Sequence, residues 1–219
     1  MSELSVMFVK GSRMLRNFLI DIRYGGFLGF NLKPTDVFLS QQEKAARTVE
    51  TPYWRSNWIA CMNNSDSETL EYVFQDRIKP SDVLVDVGCG RGRVINWWLY
   101  KGHRNRMVGL EMDVATAENA RRRLQRHNNV TVITGNAVEN LPPDGTIFYL
   151  FNPFDAPVVE AFKERIKQVV ADPKQITILY SNCRHVDVFQ GDAEWSVELI
   201  VDQRPIAAPM QDLAVITFR

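Results

Sequence analysis

The sequence predicts an α/β fold: a doubly wound, mostly parallel seven-stranded sheet with helices on both faces, an antiparallel C-terminal hairpin and a helical N-terminal cap. Three observations lead there. Short β-branched and leucine-rich runs alternate with helix-patterned stretches of about ten to fifteen residues between Val83 and Tyr180, as right-handed βαβ crossovers require. The first of these runs ends in a glycine turn, Gly88, Gly90 and Gly92. Beyond Tyr180 the alternation stops, and two strand-like runs follow without a long helix between them. A chain of 219 residues holds one such domain with a short appendage. We place the sheet domain at residues 80–219 and the cap or lid at residues 1–79.

In order along the chain, an amphipathic helix is predicted over Met14 to Ile22, followed by the glycine-broken stretch Gly25, Gly26, Gly29 and a second helix from near Ser40. The aromatics Tyr53, Trp54 and Trp58 come next; Tyr53 and Trp54 are candidates either for a lid touching substrate or for packing among the N-terminal helices. Leu70, Val73 and Phe74 have helical spacing within Ser67 to Arg77, and Pro80 ends that helix. Strands are expected at Val83–Val87, Met107–Leu110, Val130–Thr134, Thr146–Phe151 and Ile176–Tyr180, because such apolar runs suit strands buried on both faces. Helices are expected at Arg93–Lys101, Val114–His127 and Pro157–Val170. Trp195–Val201 and Leu213–Phe218 form the terminal hairpin.

The composition narrows the function classes. Lys plus Arg and Asp plus Glu both total 26, so no net field draws the molecule to polyanions. Arg121, Arg122, Arg123 and Arg126 are the one candidate basic patch, with a solvated helix face as the other reading. A small-molecule substrate is therefore expected ahead of nucleic acid or protein. No apolar run approaches the ~20 residues of a membrane span, and Val6 to Val9 is too short for the core of an export signal. Cys61, Cys89 and Cys183 lack paired or metal-type spacing, which suits a cytoplasmic protein with no metal site.

In such a sheet, ligands bind beyond the C-terminal ends of the strands. The segment VLVDVGCGRGRV sets its glycines between a strand and a helix, where the backbone can turn sharply and approach a ligand. A dinucleotide fingerprint would need a third glycine at position 93, which is Arg. Asp86 precedes the first glycine by two residues; it would repel a pyrophosphate but accept a charge-assisted hydrogen bond from an ammonium. Glu111 closes the next strand, where a carboxylate can take both hydroxyls of a ribose. Of the three histidines, only His185 falls on the substrate side by topology.

VDVGCGRG followed by VGLEMD resembles motifs I and II of the class I S-adenosylmethionine-dependent methyltransferases, over about Pro80 to Arg219. The resemblance implies a Rossmann-like fold, methyl transfer, and S-adenosylmethionine as cofactor. It places Asp86, Gly88, Cys89 and Gly90 at the methionine end, Glu111 on the ribose and Met112 against adenine. After the third strand, TGNA would supply the side-chain carbonyl of Asn136 and the backbone of Ala137 to the adenine edge. IFYLFNPF resembles the catalytic loop of amino-methyltransferases, with one proline where that loop has two, and also the Asn-Pro-Phe pattern of small bacterial methyltransferases of unassigned substrate. Asn152 is thereby a candidate catalytic residue, or the cap of the following helix; Pro153 and Phe154 are candidates for the acceptor wall. Expected alternatives on the same fold are an NAD-type oxidoreductase and a non-catalytic cofactor-binding module.

Overall fold

The structure, a computed structural model, describes residues 67–200 and 212–219. In chain order these form α1 (Ser67–Phe74), β1 (Val83–Val87), α2 (Arg93–Tyr100), β2 (Arg106–Glu111), α3 (Val114–Leu124), β3 (Val130–Thr134), β4 (Ile147–Phe151), α4 (Ala156–Val169), β5 (Thr177–Ser181), α5 (Asp187–Gln190), β6 (Trp195–Ile200) and β7 (Leu213–Phe218). The strands make one sheet in the order β3-β2-β1-β4-β5-β7-β6. β1 to β5 are mutually parallel, β7 runs antiparallel to β5, and β6 pairs antiparallel with β7 at the edge. The predicted sheet and its terminal hairpin are therefore what forms. The predicted helices Met14–Ile22 and that from Ser40, and the lid candidates Tyr53 and Trp54, lie outside the described residues.

Alternate strand residues face opposite sides, and each side has its own core. On one, Val85, Val87, Phe148, Leu150 and Tyr180 meet Val159, Phe162 and Ile166 of α4 and Phe189 of α5. On the other, Leu84, Met107, Tyr149 and Leu179 meet α1, α2 and α3. Phe74 of α1 sets its ring 5.5 Å from Trp97, 5.3 Å from Trp98 and 5.3 Å from Tyr149. Thus α1, which the sequence reading assigns to the cap, contributes Leu70, Val73 and Phe74 to the same core as α2.

Helix ends depart from expectation for local reasons. α3 stops at Leu124 instead of His127, since Gln125 to Asn129 offer no apolar residue to extend the buried stripe of Ala117, Ala120 and Leu124. α4 starts where Asp155 accepts the Val158 N–H. The short α5 and a 3₁₀ turn at Pro173–Gln175 have no periodicity long enough to announce them.

Lys163 ties α4 to the chain beyond α5. Its side chain is 7% exposed, its Nζ lies 2.9 Å from Glu160 and 3.1 Å from Asp192, and it donates to the Val188 carbonyl at 3.3 Å. Because the carboxylates remain partly hydrated, Lys163→Ala is expected to cost about 1–3 kcal/mol, read as a lower urea midpoint with unchanged slope.

Candidate active site

The turn after β1 folds onto the end of β2: the N–H groups of Gly88 and Cys89 both donate to the Leu110 carbonyl at 2.9 Å, and the Gly92 N–H donates to the Cys89 carbonyl at 2.8 Å. The thiol of Cys89 turns under the turn, where a Cβ on Gly109 would come within 2.7 Å of its Sγ. Side chain and main chain of Cys89 are thus both used by the fold. Cys89, a candidate for the cofactor site, is a small residue whose thiol fills the notch over Gly109. Gly90 differs, because a Cβ there would meet no atom within 4 Å. At Gly88 a Cβ would stand 3.2 Å from that of Pro153, so the loop after β4 lies directly against the turn after β1.

Two carboxylates flank this open space. Asp86 is 3% exposed, and its Oδ2 is buried without a hydrogen-bond partner among the described residues. Burial pushes its carboxyl up to about 8, and the neighbouring charge of Glu111 acts in the same direction. Glu111 accepts the Gly90 N–H on Oε2 and the Asp113 N–H on Oε1, each at 2.9 Å. Burial raises its carboxyl too, against the lowering effect of the Asp113, Gly90 and Met112 main chain. A carboxylate has about four lone-pair sites, so acceptor capacity remains for a ligand hydroxyl. Met112, next along, is half-buried. A buried oxygen lacking a donor, an open cradle and a carboxylate with spare acceptor capacity fit a cationic, ribose-bearing ligand, which is what S-adenosylmethionine is. Among the described residues, no cluster of His, Cys, Asp and Glu could hold a metal ion.

At the end of β3, the Oδ1 of Asn136 accepts the Val138 N–H at 3.0 Å and its Nδ2 faces Glu139 at 3.3 Å. The side chain shapes its own turn, with one lone pair of its carbonyl taken by the Val138 N–H. Ala137 is buried in the core below.

The loop after β4 begins with Asn152 in the left-handed region, at φ 42°. Asp155, not Asn152, caps α4. Asn152 instead accepts a hydrogen bond on Oδ1 from the hydroxyl of Tyr180, at 3.0 Å. Burial drives the Tyr180 hydroxyl pKa well upward, against the lowering effect of the His185 main chain. Pro153 is half-buried against the glycine turn, whereas Phe154 is 6% exposed with its ring 6.1 Å from that of Phe162. Phe154, a candidate for the acceptor wall, sets its ring against the α4 core, where the cap at Asp155 turns the chain. Tyr53, the other expected substrate contact, lies outside the described residues. Tyr180 escapes a reading by motif, because nothing local marks one tyrosine of a buried strand; the Leu150–Tyr180 register is what brings it to Asn152.

The arginine run on α3 is not one surface. Arg121 donates through Nε to the Val132 carbonyl, pairs with Glu118 and reaches Thr134 Oγ1. Arg123 is buried and donates to the Arg91 carbonyl at 3.0 Å. Both readings given for this run, basic patch and solvated face, are corrected for these two residues, which brace β3 and the glycine turn.

Residues 84–173 match the family model of a methyltransferase domain. No curated protein sequence matches the chain significantly. Among solved structures, a putative O-methyltransferase from Klebsiella pneumoniae is 13% identical, with 72% of this chain and 83% of that one covered and a TM-score of 0.58. An RNA methyltransferase from Salinibacter ruber, in complex with S-adenosyl-L-homocysteine, is 17% identical over 71% of this chain and 92% of that one, TM-score 0.54. The B. subtilis tRNA methyltransferase TrmK is 11% identical, TM-score 0.55, with 68% of this chain covered and 65% of that chain, just under two thirds of its length. At such identities the likeness is one of fold.

Proposed function

Since residues 84–173 match a methyltransferase domain, we propose that the chain is a class I S-adenosylmethionine-dependent methyltransferase and that it methylates a small acceptor held between the turn after β1 and the loop after β4. The observation that carries this reading is the unpartnered, buried Oδ2 of Asp86 beside the open cradle at Gly90 and the carboxylate of Glu111. Bound there, S-adenosylmethionine supplies a methyl group made electrophilic by its sulfonium sulfur. Asp86 would take the ammonium, Gly88 and Gly90 leave room for the methionine chain, and Glu111 would accept from the ribose hydroxyls. Met112 and the backbone of Ala137 would border the adenine. Asn152 would orient the acceptor, with Pro153 beside it.

A pyrophosphate-bearing dinucleotide suits this site poorly, because an ionised Asp86 beside the glycine turn would oppose its charge. A small acceptor is favoured over RNA by the balanced charge of the chain and by the engagement of Arg121 and Arg123 inside the fold. Among the described residues no helix is long and apolar enough to cross a membrane. The free thiols Cys89 and Cys183 suit a reducing compartment, and the cytoplasm is the proposed location.

Calorimetric titration of S-adenosylmethionine, S-adenosylhomocysteine and NAD tests the reading. The first two should bind and NAD should not, and Glu111→Ala should weaken S-adenosylmethionine by roughly tenfold or more, the loss expected for a charge-assisted pair. Wild type binding neither sulfur ligand would remove the proposal.

A further inference from the structure

We propose that Tyr180 sets the polarity of the Asn152 amide, so that the site presents N–H donors to an ionised oxygen acceptor, a carboxylate or an acidic phenol, in preference to an amine; this rests on the loop after β4 being the acceptor side. Tyr180 is fully buried. The single hydrogen of its hydroxyl needs an acceptor, and Asn152 Oδ1, 3.0 Å away, is the one it meets among the described residues. The opposite amide orientation would bury that hydrogen without a partner, a costly arrangement. With Oδ1 committed to Tyr180, the Nδ2 group of Asn152 has no partner among the described residues and is not buried. It stands at the head of the loop whose Pro153 abuts the glycine turn.

An amine nucleophile has one lone pair, which must point at the methyl carbon, so its hydrogens need acceptors that an amide NH₂ cannot offer. An ionised oxygen has lone pairs to spare: one attacks while another accepts from Asn152. The acceptor oxygen then bonds to the methyl carbon as the carbon–sulfur bond breaks, and its negative charge cancels that of the sulfonium. No proton has to be removed, and the loop needs no base. Tyr180 acts through Asn152 and is a positioning residue.

The test follows the Asn152 side-chain amide by NMR in ¹⁵N-labelled protein loaded with S-adenosylhomocysteine, the signal being assigned by its loss in Asn152→Asp. Benzoate and the neutral, similarly shaped aniline are the probes. Benzoate should shift the Asn152 pair saturably, and aniline at equal concentration should not. Tyr180→Phe keeps the ring and frees the amide to rotate; benzoate affinity should fall about tenfold while S-adenosylhomocysteine affinity stays within about twofold of wild type. A merely structural role would move both together. Asn152→Asp, which replaces the donor with an oxygen, should lose benzoate binding by calorimetry even if Tyr180→Phe does not fold. An amide moved equally by both probes, or by neither, overturns the acceptor class. Unchanged benzoate affinity in Tyr180→Phe overturns the role of Tyr180. Failure of wild type to bind S-adenosylhomocysteine overturns the cofactor reading instead, and the same probe titration on the ligand-free protein still decides the amide's polarity.

Discussion

Asp86→Asn is expected to stabilise the ligand-free protein at pH 7 while destroying its hold on S-adenosylmethionine. The folded protein keeps the Asp86 proton up to about pH 8, whereas the unfolded chain releases it near 3.8. Between those values the folded state binds more protons, so wild type loses stability as pH rises through the window, by up to about 1.4 kcal/mol per unit. At pH 7 the loss has a ceiling on the order of 4 kcal/mol. Asparagine does not ionise and escapes it, though its amide brings an unmade hydrogen bond of its own, leaving a net gain of about 1–3 kcal/mol. Urea unfolding at pH 7 and pH 3 checks this, since below the unfolded value of 3.8 the advantage should disappear. The functional half of the prediction has the opposite sign. An ammonium delivered to Oδ2 favours the ionised carboxylate, so cofactor binding at pH 7 should release close to one proton from wild type and none from the variant. Titrations in two buffers of different ionisation enthalpy count that proton. An equal count in both proteins would remove Asp86 from the ammonium site.

What could be read beforehand divides by range in the chain. The strands were legible because a buried parallel strand must be apolar on both faces, and VLVDV and IFYLF are nearly so. The polar intruder Asp86 in the first of them was legible as a candidate ligand group for the same reason: a carboxylate there has no place in a core. Cys89 and Phe154, by contrast, are apolar residues beside motif positions, and both pack against the fold. Whether such a residue faces the ligand or the core depends on which way the turn rolls, and that is decided by Gly109 across the sheet and by the cap at Asp155. The second of these signals was local, since Asp155 precedes Ala156 and Pro157 in a pattern typical of a helix start. The α3 arginines were readable too: Arg121 and Arg123 flank the stripe of Ala117, Ala120 and Leu124, so their stems were bound to lie along the sheet. The Tyr180–Asn152 bond was not readable, because it joins residues 28 apart through a β4–β5 register that no motif encodes.

Two alanine substitutions two residues apart should separate ligand room from packing room. Gly90 and Gly92 both have left-handed backbones, at φ 54° and 79°, and alanine costs about 1–2 kcal/mol in that region at either position. Beyond that shared cost the positions diverge. A Cβ on Gly92 would stand 2.8 Å from Leu124 Cδ1, so Gly92→Ala pushes α3 away from the turn and should lower stability by about 2–4 kcal/mol in all. Its folded fraction should still bind S-adenosylmethionine, because the new methyl points into the protein. At Gly90 the Cβ meets nothing within 4 Å, so Gly90→Ala should lose only the backbone cost, about 1–2 kcal/mol. Its methyl, however, enters the space beside Glu111 where the methionine chain has to pass, and affinity should fall by roughly tenfold or more. Thermal unfolding paired with calorimetry on both variants reads the two effects independently. Wild-type affinity in Gly90→Ala would mean that the open cradle is not where the cofactor lies, whatever the family of the fold. Lost affinity with near-normal melting would tie the missing Cβ at that position to binding, since the empty space around it contributes nothing to the packing of the ligand-free protein.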